Sequence, residues 1–541
     1  MTTVAATLDA ASLEVIWGRL LTIADECWTT LRRTAFSPII TEALDIGCEV
    51  MDRSGQTLSH ATRGMPVFNL VLPNVAQHFL ERFGADWLED GDALITNDPW
   101  LCAGHLPDVA VLTPVFHRGA LLGFVGNIAN ATDIGGTLAR AAAREVYEEG
   151  LRIPPMKLAR RGVMNEDLLA IVRANVRQAD AVIGDLYAQL TANVTAGHRL
   201  VEFVEEYGLS SLEDLGDTIR SYSERAMRAA IAAVPDGTYR ASTALDDGAE
   251  LHVAVRVGGD EIAVTFPDCP PQLAQGGANV ALNYTRAHCV YILKCILAPD
   301  IPSNQGAFRP ISVWAEPGSI LNAREPASVG LRTKTGWHVH PLILKALAPV
   351  LPDQVMAPCG FPSWLVISGY DRHGVEFREH MVLSGGLGAT AERDGISACG
   401  YPTTTAAVPV EVIETRSPLL IEAKEYVAGS GGAGRQRGGL AQRVVVRALP
   451  GAGVRSLVLS ASLDQSVAPA DGLDGGGPGR TSRFEHRDAE GTARVLEVAH
   501  AVLRSNAESV TLETAGGGGF GDPTTRDPAA DAADRGEGYV A

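Results

Sequence analysis

The sequence of 541 residues lacks the features typical of membrane and nucleic-acid-binding proteins. It has no run of about 18 apolar residues, so we expect no transmembrane helix. Its first residues show no basic region followed by an apolar run, which predicts no signal peptide and a cytoplasmic location. Basic residues number 45 against 64 acidic ones and form no cluster, so binding to a phosphate backbone is not expected.

Cysteine is also scarce. Eight cysteines are spread over the chain and no two of them have CxxC spacing, which excludes a dense disulfide framework and disfavours a zinc site built from four cysteines. The pattern predicts reduced and mostly buried thiols.

Motifs for nucleotide binding and for common hydrolases are missing as well. There is no GxxxxGK[ST], GxSxG or HExxH sequence. Residues 429–434 formally match GxGxxG, but an apparent strand follows where a dinucleotide site needs a helix N-terminus. Together with residues 516–519, this segment predicts tight turns or close approach of backbones. If ATP is used, another subunit or an unfamiliar site must bind it.

Periodicity of the apolar residues predicts an α+β fold. Three-to-four-residue spacing predicts helices over residues 11–34 and 165–208. From about residue 365 to 520 the pattern changes to short strands separated by glycine. The sequence therefore predicts a helical and mixed N-terminal half followed by a β-rich C-terminal half. We expect domains at residues 1–235, 236–350 and 351–523, and a polar, frayed tail at 524–541.

A loop between two predicted strands, residues 98–108, carries the strongest local candidate for chemistry. His105 and Asp108 are three residues apart, and Pro107 between them stiffens the loop so that both side chains could converge. An imidazole and a carboxylate suit a divalent transition metal. The alternative is a structural turn, since Asn-Asp-Pro commonly opens a turn and Asp often caps a backbone.

Other polar residues near predicted strands favour structural interpretations when taken alone. Asp45 begins a strand in an apolar context, where a hydrogen-bonded core carboxylate is the more common reading. Asp133 follows a strand in a Thr-Asp-Ile-Gly-Gly turn and is typical of a turn or cap residue. His338 and His340 flank one residue before a proline, which favours surface or capping histidines over a metal pair.

Several motifs in order along the chain resemble the hydantoinase B/oxoprolinase family. They are NDPWLCAGHLPDVAVLTPVF, TDIGGTLARAAAREVYEEGLRIPPMKL, DIPSNQGAFRPISV, SGGAGRQRGGLAQRVVV and ETAGGGGFGDP. The resemblance runs from about residue 10 to 523 and implies a hydantoinase B-like fold.

The resemblance implies a subunit of an ATP-dependent cyclic-amide hydrolase of the hydantoinase, oxoprolinase or lactamase type. A hydantoinase A-like partner would bind ATP in a hetero-oligomer, and this subunit would house the attack on the activated carbonyl carbon of a small-molecule substrate. Two alternatives stay open. One is a subunit of an ATP-dependent ketone carboxylase similar to acetophenone carboxylase, and the other is a non-catalytic scaffold subunit.

The resemblance also implies a site. In acetone carboxylase-like members the corresponding subunit holds manganese, and the ligand positions fall on Asp45, His105, Asp108 and Asn130. His105 and Asp108 are the implied catalytic residues. Asn130 stands where relatives usually carry histidine, and Phe68 occupies another usual histidine position. An amide oxygen is a weaker ligand than an imidazole nitrogen. Loosely bound Mg or Mn, weakly bound Zn, and no metal therefore all stay open.

Overall fold

The computed structural model describes residues 10–68, 70–137 and 140–540, which form two compact units. The first unit takes in the chain up to Thr238 together with Ala254–Val339, and the second takes in Tyr239–Val253 together with the chain from His340 onward. The boundaries expected at residues 235, 350 and 523 stay a prediction. Among the described residues, no helix combines the length and apolar character needed to cross a bilayer.

The α-helices of the described residues are α1 (Ala10–Thr34), α2 (Pro38–Thr41), α3 (Val71–Phe83), α4 (Glu166–Asn175), α5 (Ala179–Glu206), α6 (Glu213–Ala232), α7 (Leu282–Leu297), α8 (Gln305–Phe308), α9 (Thr333–Gly336), α10 (Val339–Leu347), α11 (Val410–Arg416) and α12 (Pro528–Gly536).

The strands are β1 (Ile46–Asp52), β2 (Thr57–His60), β3 (Ala93–Thr96), β4 (Asp108–His117), β5 (Ala120–Asn130), β6 (Met156–Arg160), β7 (Val163–Met164), β8 (Gly237–Ala244), β9 (Glu250–Gly258), β10 (Glu261–Phe266), β11 (Ile311–Ala315), β12 (Ser363–Tyr370), β13 (Glu376–Leu383), β14 (Leu419–Tyr426), β15 (Gln442–Ala448), β16 (Leu457–Ser462), β17 (Arg483–Arg487), β18 (Ala493–Val495), β19 (His500–Leu503) and β20 (Ser509–Glu513).

The predicted mixed helix-and-sheet class is confirmed. In the first unit a seven-stranded sheet has the order β2-β1-β5-β4-β3-β6-β7, and its neighbouring strands pair antiparallel. A four-stranded sheet has the order β11-β10-β9-β8. The second unit contains the sheets β13-β12-β16-β19 and β14-β15-β20-β17-β18, so the C-terminal half is β-rich as expected.

Helices α1 and α5 bury their apolar stripes in the first unit. The helix predicted over residues 11–34 is confirmed as α1, and Leu20, Cys27 and Leu31 on its apolar stripe are at most 1% exposed. On α5 the buried face also carries polar residues. Gln189 and Asn193 bond to Asn127 of β5 and to carbonyl oxygens of β4. Because these amides are satisfied inside the core, they fix the position of α5 on the two central strands.

The helix predicted over residues 165–208 is interrupted, which corrects the sequence-based expectation. It divides into α4 and α5 because the backbone of Val176 is extended (φ −110°, ψ 148°). The carboxylate of Asp133 accepts hydrogen bonds from the backbone N–H groups of Arg177 and Gln178. A side chain from a distant loop thus satisfies the donors that a continuous helix would have used.

Glycine-rich segments of the second unit pack backbone against backbone, as the sequence predicts. The N–H of Gly517 donates to the carbonyl of Gly439 (3.0 Å), and the N–H of Gly432 donates to that of Gly517 (2.8 Å). A Cβ on Gly517 would clash with backbone atoms of Leu387 and Gly386. No nucleotide-binding helix follows residues 429–434, because β15 comes next. These glycines therefore permit close approach of chains.

The tail expected to fray contains the helix α12, which corrects that expectation. Asp527 caps its first turn with its side chain. Asp534 is buried and accepts hydrogen bonds from Arg437 (3.0 Å) and Arg526 (2.6 Å). A polar segment is thus held by ion pairs with distant arginines, which its composition alone does not reveal.

The eight cysteines are free thiols. Five are buried, two are partly buried, and one, Cys295, is exposed. This confirms the prediction of unpaired and mostly buried cysteines.

Candidate functional site

The neighbouring strands β1, β5 and β4 of the seven-stranded sheet have three of the four predicted site residues at adjacent strand ends. Asp45 immediately precedes β1, Asn130 ends β5, and Asp108 begins β4. The register pairs Ile46 with Ala129 and Asp108 with Asn130, since β1 and β4 lie on either side of β5. Residues that are far apart in sequence are therefore neighbours across the sheet.

Asn130 links the other two residues. Its side-chain amide donates to Oδ1 of Asp108 (2.9 Å), and its backbone N–H donates to the carbonyl of Asp45 (3.2 Å). Asp45 is held by its own N–H, which donates to the carbonyl of Ile39 at the end of a turn where Leu44 has φ 62°. Asp45 is 4% exposed, and its Oδ1 has no hydrogen-bond partner among the described residues.

The loop between β3 and β4 places His105 against Asp108, with Nε2 of the imidazole 2.9 Å from Oδ2 of the carboxylate. Asn97 shapes this loop through hydrogen bonds to the carbonyls of Leu106 (2.7 Å) and Leu151 (2.9 Å). The stiffened loop thus brings the two side chains together in a buried pair.

The other carboxylate of the loop has a structural role. Asp98 accepts hydrogen bonds from the guanidinium of Arg152, whose Nη1 also contacts Glu325. The carboxylate also accepts a hydrogen bond from the backbone N–H of Trp100 (3.0 Å). The Asn-Asp-Pro sequence therefore opens a turn, as the structural alternative expected for this segment.

Arg332 is a further member of the site that sequence reasoning missed. Its Nη2 donates to Oδ2 of Asp108 at 2.7 Å, and the residue is 4% exposed. Its guanidinium lies over the ring of Tyr284, with Cζ 4.2 Å from the ring centroid. Gly104 (φ +87°) lies so close that a Cβ there would approach Cδ of Arg332 to 2.9 Å. Arg332 is 224 residues from Asp108 in sequence, and no local pattern marks it.

The surroundings shift the pKa values of Asp108 and Asp45 in opposite directions. Burial would raise the pKa of Asp108, but the charge of His105 when it is protonated, the charge of Arg332, and hydrogen bonds from His105 and Asn130 hold it below its usual value. Burial raises the pKa of Asp45 well above its usual value, and the nearby charge of Asp108 adds to this effect while Arg332 opposes it. The site therefore favours an ionised Asp108 beside a neutral Asp45.

The donor set does not fit a divalent cation. Both oxygens of Asp108 already accept hydrogen bonds from nitrogen donors, and Asn130 presents its amide nitrogen, which cannot ligate, toward the carboxylate. The positive charge beside Asp108 is the guanidinium of Arg332. Within residues 10–68, 70–137 and 140–540, no group of three or more His, Cys, Asp or Glu side chains is arranged to hold a metal ion.

The remaining candidates make other contacts. Asp133 accepts from the backbone of Gly135 (3.2 Å) and from Arg177 Nη1 (3.0 Å), as its turn interpretation expected. Phe68 is 1% exposed in a 3₁₀ turn and contributes only apolar surface. In the second unit His340 is fully buried, and its Nδ1 lies 2.9 Å from the hydroxyl of Tyr401. The surface interpretation of His340 is therefore wrong.

Two relatives match this chain over nearly its full length. A protein from Pseudomonas sp. (strain NS671), provisionally named as the B-type component of a D-/L-hydantoinase, is 30% identical over 98% of this chain and 93% of its own length. The beta subunit of the caprolactamase of Pseudomonas jessenii is 29% identical over 99% of this chain and 94% of that protein.

Solved structures agree with this picture. The crystal structure of ATP-dependent caprolactamase from Pseudomonas jessenii superposes with a TM-score of 0.89 at 26% identity, covering 99% of this chain and 95% of that one. The nucleotide-free structure of acetone carboxylase matches with a TM-score of 0.86 at 18% identity, over 98% of this chain and 78% of that one, and shows the same fold. The profile of the family described as hydantoinase B/oxoprolinase matches residues 9–523. The chain belongs to the hydantoinase B/oxoprolinase family.

Proposed function

We propose that this chain is the B-type subunit of an ATP-dependent enzyme that opens cyclic amides, with ATP bound by a hydantoinase A-like partner. The supporting observation is the full-length similarity to components of a caprolactamase and a hydantoinase, combined with the buried pair of His105 and Asp108. The chain itself has no P-loop sequence, which agrees with nucleotide binding by a partner. We expect this subunit to act inside a hetero-oligomer in the cytoplasm.

The reaction needs activation because an unstrained amide is a poor electrophile. Transfer of the γ-phosphoryl group of ATP to the amide oxygen on the partner makes the carbonyl carbon reactive. Water then adds to that carbon, and the ring C–N bond breaks to leave an acyl phosphate and a free amine. A second water releases phosphate, so each ring opening consumes one ATP and two waters.

In this scheme His105 is the base for the attacking water. Asp108 holds Nε2 at 2.9 Å and stabilises the imidazolium once it forms, so the proton of water goes to Nδ1. Asn130 and Arg332 hold the two oxygens of Asp108, which keeps the carboxylate ionised and oriented. Burial of the group limits the access of bulk water to the activated carbon.

The test is an assay of the chain purified with its A-type partner. We expect ATP turnover that depends on hydantoins, 5-oxoproline or lactams. His105→Ala and Asp108→Asn should each lower that turnover about 100- to 10,000-fold while the complex still assembles, as judged by size-exclusion chromatography. His117→Ala is the matched control, because His117 lies at the opposite end of β4 from Asp108 and should leave turnover unchanged.

Two results would replace the proposal with an alternative. Ketone-dependent incorporation of labelled bicarbonate, without turnover of cyclic amides, would identify a carboxylase subunit. Full activity in both site variants with intact assembly would identify a scaffold subunit whose site plays no chemical part.

A further inference from the structure

We propose that the guanidinium of Arg332 takes the place of a divalent cation at Asp108, so that this chain holds its site together without a metal. The inference concerns the binding properties of the site and stands apart from the identity of the substrate. It makes Arg332 a positioning residue, which acts on His105 through Asp108.

The first support is that nitrogen donors already occupy both oxygens of Asp108. Arg332 Nη2 (2.7 Å) and His105 Nε2 (2.9 Å) both lie on Oδ2, and Asn130 Nδ2 (2.9 Å) lies on Oδ1. These donors take three of the roughly four lone-pair sites of the carboxylate, so a cation could reach only the remaining site on Oδ1 unless it displaced a nitrogen donor. It would also lie close to a guanidinium that is always charged, and like charges repel strongly in a buried site.

The second support is the confinement of Arg332. The residue is 4% exposed and its guanidinium lies over the Tyr284 ring, while Gly104 packs against its Cδ. Tyr284 is itself 2% exposed, and Gly336 packs so closely on its ring that a Cβ there would come within 2.6 Å of Cε1. These contacts restrict the movement of Arg332 away from Asp108.

The third support is the residue at position 130. An amide there serves Asp108 as a hydrogen-bond donor, whereas an imidazole could serve a metal as a ligand. Asn130 contacts Oδ1 of the Asp108 carboxylate and Arg332 contacts Oδ2. Together these two residues replace the contacts that a bound cation would make with the carboxylate. Asp45 Oδ1, buried and without a hydrogen-bond partner among the described residues, is a group that would favour a cation if Asp45 were ionised.

Direct metal binding tests the inference without any substrate. The complex is dialysed against a chelator, and binding of Mn²⁺ alone and Zn²⁺ alone is then measured by titration calorimetry and elemental analysis. We expect no stoichiometric metal on the wild-type chain. The double variant Asn130→His/Arg332→Met supplies an imidazole and removes the guanidinium. It should bind Mn²⁺ or Zn²⁺ at least about tenfold more tightly than the wild-type chain does. The double variant Asn130→His/Arg332→Lys keeps a positive charge at position 332 and should again exclude the metal.

Each outcome decides the inference. One equivalent of Mn²⁺ or Zn²⁺ on the wild-type chain, lost in Asp108→Asn, would overturn it, and this arm needs no folded Arg332 variant. A wild-type chain without metal and a double variant with metal would support it. If neither chain bound metal, the guanidinium would not be the excluding group and the inference would again fail. Melting curves of the variants establish that they are folded, and Arg220→Met serves as the control for loss of a different buried arginine.

Discussion

Arg220 of α6 and Asp52 at the end of β1 form an ion pair that solvent hardly reaches. Nη1 lies 2.8 Å from Oδ2, and the two side chains are 2% and 1% exposed. The other oxygen of Asp52 accepts from the backbone N–H groups of Ser54 and Gln56 (3.0 Å each), which closes the turn into β2. Gly306 packs directly on the backbone of Arg220. One buried contact thus joins α6, α8 and the sheet that carries the candidate site.

Replacing Arg220 with alanine should lower the free energy of unfolding by about 3–5 kcal/mol, because it leaves Asp52 charged and buried without its partner. Urea denaturation monitored by circular dichroism measures this change. Arg225→Ala, at an exposed position of the same helix, is the matched control and should change stability by less than about 0.5 kcal/mol. Equal effects of the two substitutions would contradict a stabilising role for the buried pair.

The close-packed glycines of the second unit should tolerate no side chain. Gly517→Ala introduces a Cβ that clashes with the backbone of Leu387, and we expect a loss of more than about 4 kcal/mol or a failure to fold. Gly536→Ala is the control, since Gly536 lies in α12 with no atom within 4 Å of the place that a Cβ would take, and alanine favours a helix by about 1 kcal/mol. Soluble yield and thermal melting compare the two. A Gly517→Ala chain as stable as the control would refute the close approach.

A buried carboxyl of β1 should make stability depend on pH. Burial raises the pKa of Glu49 from 4.5 to about 8, although a hydrogen bond from Thr57 opposes this. The folded chain therefore keeps a proton that the unfolded chain releases, so stability falls as pH rises from about 4.5 to about 8.

Glu49→Gln mimics the protonated acid and removes this penalty. The variant should match the wild type near pH 4.5 and exceed it by about 3 kcal/mol at pH 7. Denaturation at a series of pH values measures the difference, and Glu14→Gln at an exposed position of α1 is the control. A difference that stays constant with pH would show that Glu49 is ionised in the folded chain.

The sequence was sufficient to find the strand ends of the site but not all of its members. The family resemblance groups Asp45, Asp108 and Asn130, and each of them lies at the end of an apolar run. Their proximity at adjacent strand ends could therefore be anticipated. Arg332 could not, because it lies 224 residues from Asp108 and its contact depends on tertiary packing. The interruption between α4 and α5 at residues 176–178 was not predicted for the same reason, because the carboxylate that binds these backbone N–H groups belongs to the distant Asp133.

The fold shows the same division between local and distant causes. Apolar periodicity predicted α1 and its buried face, because that signal is local to the helix. The order of α12 depends instead on Asp534 pairing with Arg437 and Arg526, which no local pattern reveals. Composition alone therefore predicted a frayed tail where charge pairing orders the chain.

Gly104 makes room for the side chain of Arg332 at the site. Gly104 (φ +87°) adopts a conformation that L side chains rarely adopt, and an alanine Cβ there would lie 2.9 Å from Cδ of Arg332 and 3.0 Å from Cβ of Tyr284. Gly104→Ala therefore adds backbone strain and also pushes Arg332 from Asp108. We expect a loss of about 100-fold in the activity of the assembled complex, because His105 loses its fixed orientation.

Gly119→Ala separates the two effects. Gly119 in the turn between β4 and β5 has φ +80° and would place a Cβ in open space, so this variant carries similar strain, about 1–3 kcal/mol, without touching the site. Both variants should lose stability in thermal melts, Gly104→Ala more than Gly119→Ala because it also disturbs the buried Arg332–Asp108 contact, while only Gly104→Ala should lose the activity per assembled complex. If both variants lost activity equally, backbone strain would explain the loss. Full activity in Gly104→Ala would show that the position of Arg332 is unimportant for turnover.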